Sequence, residues 1–157
     1  MNDRDTNPAY PHPVEILLVE DSPADIALTE EALLESKLHT NLNTVTDGEA
    51  AMAFLRREEP YASAPRPDLV LLDLNLPRKN GREVLYEIKR DEQLRDIPVI
   101  VLTISTAEED IMTAYRLQAN CYVIKPVNLD NFFRVLNSVA RYWLSSGRTR
   151  DGEGHGG

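Results

Sequence analysis

The chain has 157 residues and a formal charge of -9, from 17 Lys and Arg against 26 Asp and Glu, which bounds function to one domain with one core and argues against nucleic acid or an anionic membrane as ligand. One Cys excludes an internal disulfide and points to a reducing, cytoplasmic compartment. No apolar run reaches the roughly 20 residues of a membrane span, and the first residues lack a signal-peptide core.

Residues 1–13 hold three Pro and no periodicity, so they are expected to form a flexible arm ahead of a domain spanning 14–146. The first strand, within Glu15 to Ser22 (EILLVEDS), ends in Glu20 and Asp21. Ser22, Pro23 and Asp25 then supply a cap, a Pro at the first helical position and an early carboxylate. A helix is expected to about Lys37, with Ile26, Leu33 and Leu34 turned to the core and Glu30, Glu31 and Glu35 to solvent.

Leu42, Thr44 and Val45 mark a second strand whose polar interruptions suit a sheet edge. Asp47 and Gly48 turn into a second helix with Ala51, Phe54 and Leu55 facing inward. Pro60, Pro65 and Pro67 make the following stretch an irregular surface connection.

The stretch Pro67 to Gly81 (PDLVLLDLNLPRKNG) organises the rest. Its unbroken apolar run fits a strand covered on both faces, and it stops at Asp73, placing one carboxylate at a strand end where α/β sheets hold their chemistry. A third helix is expected from about Arg82 to Arg90 on Val84, Leu85 and Ile88. The fourth strand, after Pro98, ends in Thr103 and Ser105, and Thr106 with Glu109 resembles a capping box for a fourth helix through Leu117.

The fifth strand begins at Cys121, a packing residue, and ends in Lys125. The last helix, Leu129 to about Ser145, spreads Phe132, Phe133, Leu136, Trp143 and their neighbours over roughly 200° of arc. That exceeds the roughly 100° stripe of one core contact, so it suits either a partner surface or a core wrap with exposed aromatics. Residues 147–157, rich in Gly and charge, are expected to be a disordered tail.

Alternating strands and helices, with edge-like second and fifth strands, imply a flavodoxin-like, doubly wound, five-stranded parallel sheet in the order 2-1-3-4-5 with five helices, a (βα)5 unit. The strand ends then share one crevice, where Glu20, Asp21 and Asp73 face each other, flanked by Thr103 and Lys125. Crowded carboxylates call for a proton or a cation, and an all-oxygen donor set selects a hard ion, Mg2+ in a cell. With a hydroxyl and an ammonium nearby, such a site suits a phosphoryl group with Asp73 as nucleophile.

From Glu15 to Leu144 the chain resembles a bacterial response-regulator receiver domain. The resemblance places the acidic pair on Glu20 and Asp21, the phosphoacceptor on Asp73, the switch hydroxyl on Thr103 and the ammonium on Lys125, before a cis Pro126. It implies Mg2+ held by Asp21, Asp73 and the backbone carbonyl of Asn75, with Glu20 acting largely through water, and Tyr122 as the switch aromatic.

The NCYVIKPVNLDNFF ending, with Trp143 and Leu144 and no output domain, looks most like stand-alone regulators paired with phytochrome histidine kinases. Such regulators tend to dimerise through the fourth helix, fifth strand and fifth helix. The phosphodonor is expected to be a sensor histidine kinase, with a histidine phosphotransfer protein as a further candidate. His12, His39 and His155 lack ligand-like partners, so the donor His belongs to another protein. Ile104, beside the switch Thr where many receivers have a small residue, is expected to screen the phosphoryl site. Ile104→Ala should then change the phosphorylation or dephosphorylation rate.

Two other readings compete. A haloacid-dehalogenase-type phosphatase also uses a strand-end Asp with Mg2+, Thr and Lys, but it needs a second acid where this chain has Asn75. A pseudo-receiver binds partners without phosphorylation, yet usually lacks an acceptor or metal ligand, and none is missing here. Arg78 and Lys79 suit either a partner contact or a loop coat.

Overall fold

All five expected strands form in the computed structural model, which describes residues 13–35, 39–103, 108–119, 121–124 and, singly, 130, 134 and 138. In chain order the elements are β1 (Val14–Val19), α1 (Pro23–Glu35), β2 (Thr40–Val45), α2 (Gly48–Arg56), β3 (Leu69–Asp73), α3 (Gly81–Arg90), β4 (Val99–Thr103), α4 (Glu108–Arg116) and β5 (Cys121–Ile124). The strands pair in parallel in the order β2-β1-β3-β4-β5. The broken apolar pattern of Thr40–Val45 thus does sit on an edge, and the continuous runs of β1, β3 and β4 are internal.

Strand alternation sorts the core into two layers. Leu17, Val19, Val70, Leu72, Val99 and Val101 pack with Ala51, Phe54, Leu55, Val84, Leu85 and Ile88 of α2 and α3, and with Ala114 of α4. On the other face Ile16, Leu18, Leu69, Leu71, Ile100 and Leu102 pack with Ala32 and Leu33 of α1. Burying each such Leu or Ile contributes about 2 kcal/mol, so the sheet is held from both sides.

One expectation for α1 is corrected. Leu34 is 85% exposed, and the buried positions are Thr29, Ala32 and Leu33. Leu34 lies 100° around the helix from Leu33, and the sheet covers only the narrower strip that includes small and hydroxyl side chains. Ser22 caps this helix as expected, its Oγ accepting the Asp25 N–H at 3.2 Å.

The fourth helix forms, but its expected capping Thr106 lies outside the described residues. Most of the expected fifth helix does too; Asp130, Arg134 and Ser138 are helical and exposed, one polar stripe at four-residue spacing. Both terminal segments, 1–12 and 147–157, also lie outside the described residues. Among the described residues no helix is long and apolar enough to cross a membrane.

Candidate functional site

β1 and β3 are neighbours, with Val19 opposite Leu72, so the residues that follow leave the sheet at the same edge. Glu20 is 1% exposed and Asp73 is 5% exposed, while Asp21 is open to solvent. Carboxylate oxygens of Glu20, Asp21 and Asp73 lie within 4.8 Å of one another. The two buried members come from chain segments more than 50 residues apart, and only the parallel pairing brings them together.

Backbone amides orient this cluster. The Asn75 N–H donates to Oδ1 of Asp73 at 2.9 Å, and the Ser22 N–H donates to Oε2 of Glu20 at 3.2 Å. Three acidic groups at this separation repel unless a cation lies among them. Their hard oxygen donors, with no imidazole or thiolate in the cluster, fit a divalent metal ion bound by oxygen.

Of the other expected members, the structure describes the backbone of Thr103 and places it on the same sheet edge. Thr103 ends β4 and pairs with Ile124, the residue before Lys125; β3 runs beside β4, with Asp73 opposite Leu102. Ile104, Lys125 and Pro126 lie outside the described residues, as does the expected cis bond. Tyr122 is half-buried on β5, its ring 6.5 Å from that of Tyr115 on α4.

The loop after Asp73 contains devices not anticipated from the sequence. Asn80 caps α3, accepting the Glu83 N–H at 3.1 Å while Glu83 accepts the Asn80 N–H at 3.0 Å. The Asn-x-x-Glu spacing could have announced this box. Gly81 follows, its N–H bonded to the Leu74 carbonyl at 3.0 Å. A Cβ there would lie 2.3 Å from the Asp73 carbonyl oxygen, and one on Gly48 would lie 2.0 Å from that of Lys79.

Arg78, with φ of 64°, reaches Glu49 at 3.2 Å and Asp47 at 3.9 Å, and Lys79 pairs with Glu87 on α3. These basic residues therefore fasten the loop to α2 and α3. No sequence signal foretold these pairs, because they depend on the close approach of Gly48 to Lys79.

Comparison with known sequences decides the family: the profile of the response regulator receiver domain matches residues 16–137. The chain belongs to the response regulator receiver domain family. This receiver is 48% identical over 134 residues to the response regulator Rcp1 of Synechocystis sp., covering 85% of this chain and 91% of that protein. Among solved structures, the phosphorylated cyanobacterial phytochrome response regulator RcpA superposes with a TM-score of 0.75 at 51% identity, covering 85% of this chain and 96% of that one.

The bacteriophytochrome response regulator RtBRR matches with a TM-score of 0.73 at 42% identity, over 80% of this chain and 76% of its own. Rcp1 has also been solved in a form that binds Mn2+. Receivers are signalling switches that take a phosphoryl group from a histidine kinase onto an aspartate, beside a divalent metal held by acidic residues. The acidic cluster of this chain has the donor chemistry for such a metal.

Proposed function

We propose that Asp73 is the phosphoacceptor of a switch driven by a phytochrome histidine kinase. The observation that carries this reading is the meeting of Glu20, Asp21 and Asp73 at the end of a buried strand. An oxygen of Asp73 attacks the phosphorus of a phosphohistidine, the P–N bond breaks, and the imidazole leaves to recover a proton from solvent, giving an acyl phosphate on Asp73. The Asn75 N–H holds the other carboxylate oxygen, so the nucleophile arrives oriented.

Glu20, Asp21, Asp73 and the Asn75 backbone carbonyl would hold Mg2+, which supplies charge neutralisation for the phosphoryl oxygens. Lys125 pairs with the same oxygens and Thr103 donates a hydrogen bond to them. Movement of Thr103 opens space for Tyr122 to turn inward, biasing a surface formed by α4, β5 and the last helix. Water later attacks the acyl phosphate, so the state is timed.

That surface is the proposed homodimer contact. Met112 and Tyr115 of α4 are exposed apolar side chains, and Tyr115 adjoins Tyr122. The single Cys and acidic composition of the chain fit a receiver that works in the reducing cytoplasm. The phytochrome assignment rests on the likeness to Rcp1, RcpA and RtBRR.

The test is incubation with Mg2+ and either acetyl phosphate or a phosphorylated phytochrome kinase, with intact mass recorded beside an Asp73→Asn control and sedimentation run on the same samples. The expected result is one phosphoryl group on the wild type, none on the control, and a larger species on phosphorylation or in both states. No transfer from any donor while Mg2+ still binds would overturn the switch and leave a pseudo-receiver that binds partners constitutively.

A further inference from the structure

The opposite edge of the sheet, away from the acidic cluster, carries a basic cleft between the C-terminal ends of α3 and α4. Its volume is about 470 Å³ and its walls include Tyr86, Lys89, Arg90, Arg95, Arg116 and Gln118. Four of these side chains are basic and the lining contains no carboxylate, in a chain whose net charge is -9. Such a concentration of one sign in a concavity focuses potential toward an anion.

The walls are built and held. Lys89 donates from Nζ to the backbone carbonyls of Arg95 at 3.1 Å and Ile97 at 3.0 Å, fastening the turn that carries Arg95 onto α3. Burial pushes the Lys89 ammonium below the ordinary lysine range, opposed by the nearby Asp96 carboxylate. The Arg90 guanidinium stacks over the Tyr86 ring at 4.6 Å from its centre, which orients its plane.

Arg95 and Arg116 are exposed, and among the described residues neither guanidinium makes an ion pair. The neighbouring cleft differs: it is lined by Arg56, Arg57 and Arg66 but also by Asp91, with which Arg56 is already paired.

Guanidinium forks match phosphate oxygens in shape and charge. A bare phosphate ion would leave most of the volume vacant, whereas ligand pockets of about 300 to 1,000 Å³ hold molecules of drug or nucleotide size. The half-exposed Tyr86 adds an apolar wall for a ring. We propose that the cleft between α3 and α4 binds a phosphorylated small molecule of nucleotide size, with Arg90, Arg95 and Arg116 on the phosphates and Tyr86 beside the ring.

The experiment is calorimetric titration of the full chain with ATP at about 0.15 M salt, in EDTA so that no divalent ion can bridge the nucleotide to Glu20, Asp21 and Asp73. The expected result is one saturable site, weakened about tenfold or more by Arg95→Ala and by Arg116→Ala. Both variants should keep wild-type thermal unfolding, because these side chains lie in solvent. Absence of saturable binding, or binding that neither variant weakens, would overturn the proposal. So would equal affinity for pyrophosphate, which lacks a ring, or for a ten-residue poly-glutamate peptide, which would make the cleft a contact for an acidic protein segment.

Discussion

Gly81 packs its α-carbon so closely against Asp73 that a side-chain carbon on it would lie 2.3 Å from the Asp73 carbonyl oxygen and 2.4 Å from the Leu74 α-carbon. The atoms in the way are backbone, with no rotamer to yield. Gly81→Ala should therefore push α3 off the end of β3, costing about 1–3 kcal/mol in urea unfolding and weakening Mn2+ binding as Asp73 shifts. A loss of only a few tenths of a kcal/mol with unchanged metal affinity would show that the contact relaxes freely.

Asp21 is the exposed member of the acidic cluster, so its removal can be read in both metal states. In EDTA, Asp21→Asn relieves repulsion with Glu20 and Asp73 and should stabilise the fold by about 1 kcal/mol. With saturating Mg2+ the sign should reverse, because a ligand is lost and metal affinity falls about tenfold or more. Thermal melts in EDTA and in Mg2+ check this, and equal shifts in both would refute the cluster as a cation site.

Arg57 closes α2 with φ of 56° and ψ of 42°, its N–H bonded to the Ala53 and Phe54 carbonyls. A residue with a Cβ pays about 1 kcal/mol for that left-handed conformation, and glycine does not. Arg57→Gly should stabilise the chain by roughly 0.5–1 kcal/mol, partly offset by the entropy glycine adds to the unfolded state. A rise of a few degrees in Tm is expected, and a fall would mean the Arg57 side chain supports the neighbouring cleft.

Lys89 gives a pH signature. Its folded pKa is lowered by burial from the ordinary 10.5, so between the lowered value and 10.5 the unfolded chain binds more protons than the native one. Stability contributed through this group therefore rises with pH across that window and levels off above it. Relative to Lys89→Met, the wild type should gain stability in urea unfolding as pH rises toward 10.5, with the other groups cancelling. A constant difference would place the Lys89 ammonium in a water-like environment.

Most of the sheet was legible because its signal is one-dimensional. Unbroken runs such as Val70 to Leu72 belong between two helical layers, and the polar interruptions Asn41 and Asn43 belong on an edge. The meeting of Glu20 and Asp73 followed from strand order alone. Leu34 was misplaced because periodicity fixes the direction of a helical face but not its width, which the sheet beneath decides.

The pairing of Arg78 with Glu49 was invisible for a different reason. It spans 29 positions and depends on two backbones meeting at Gly48, a contact with no pattern along the chain. Charge positions were plain, but their partners were set by packing.

Lys79, Glu87, Arg56 and Asp91 form a single file of alternating charge down the groove between α2 and α3. Its upper end is on the loop that follows Asp73, and its lower end is in the turn before β4. These pairs hold the loop after Asp73 and the end of α3 against α2. All four side chains are partly open to solvent, so dissolved salt screens the file, and its grip on that loop should slacken as ionic strength rises.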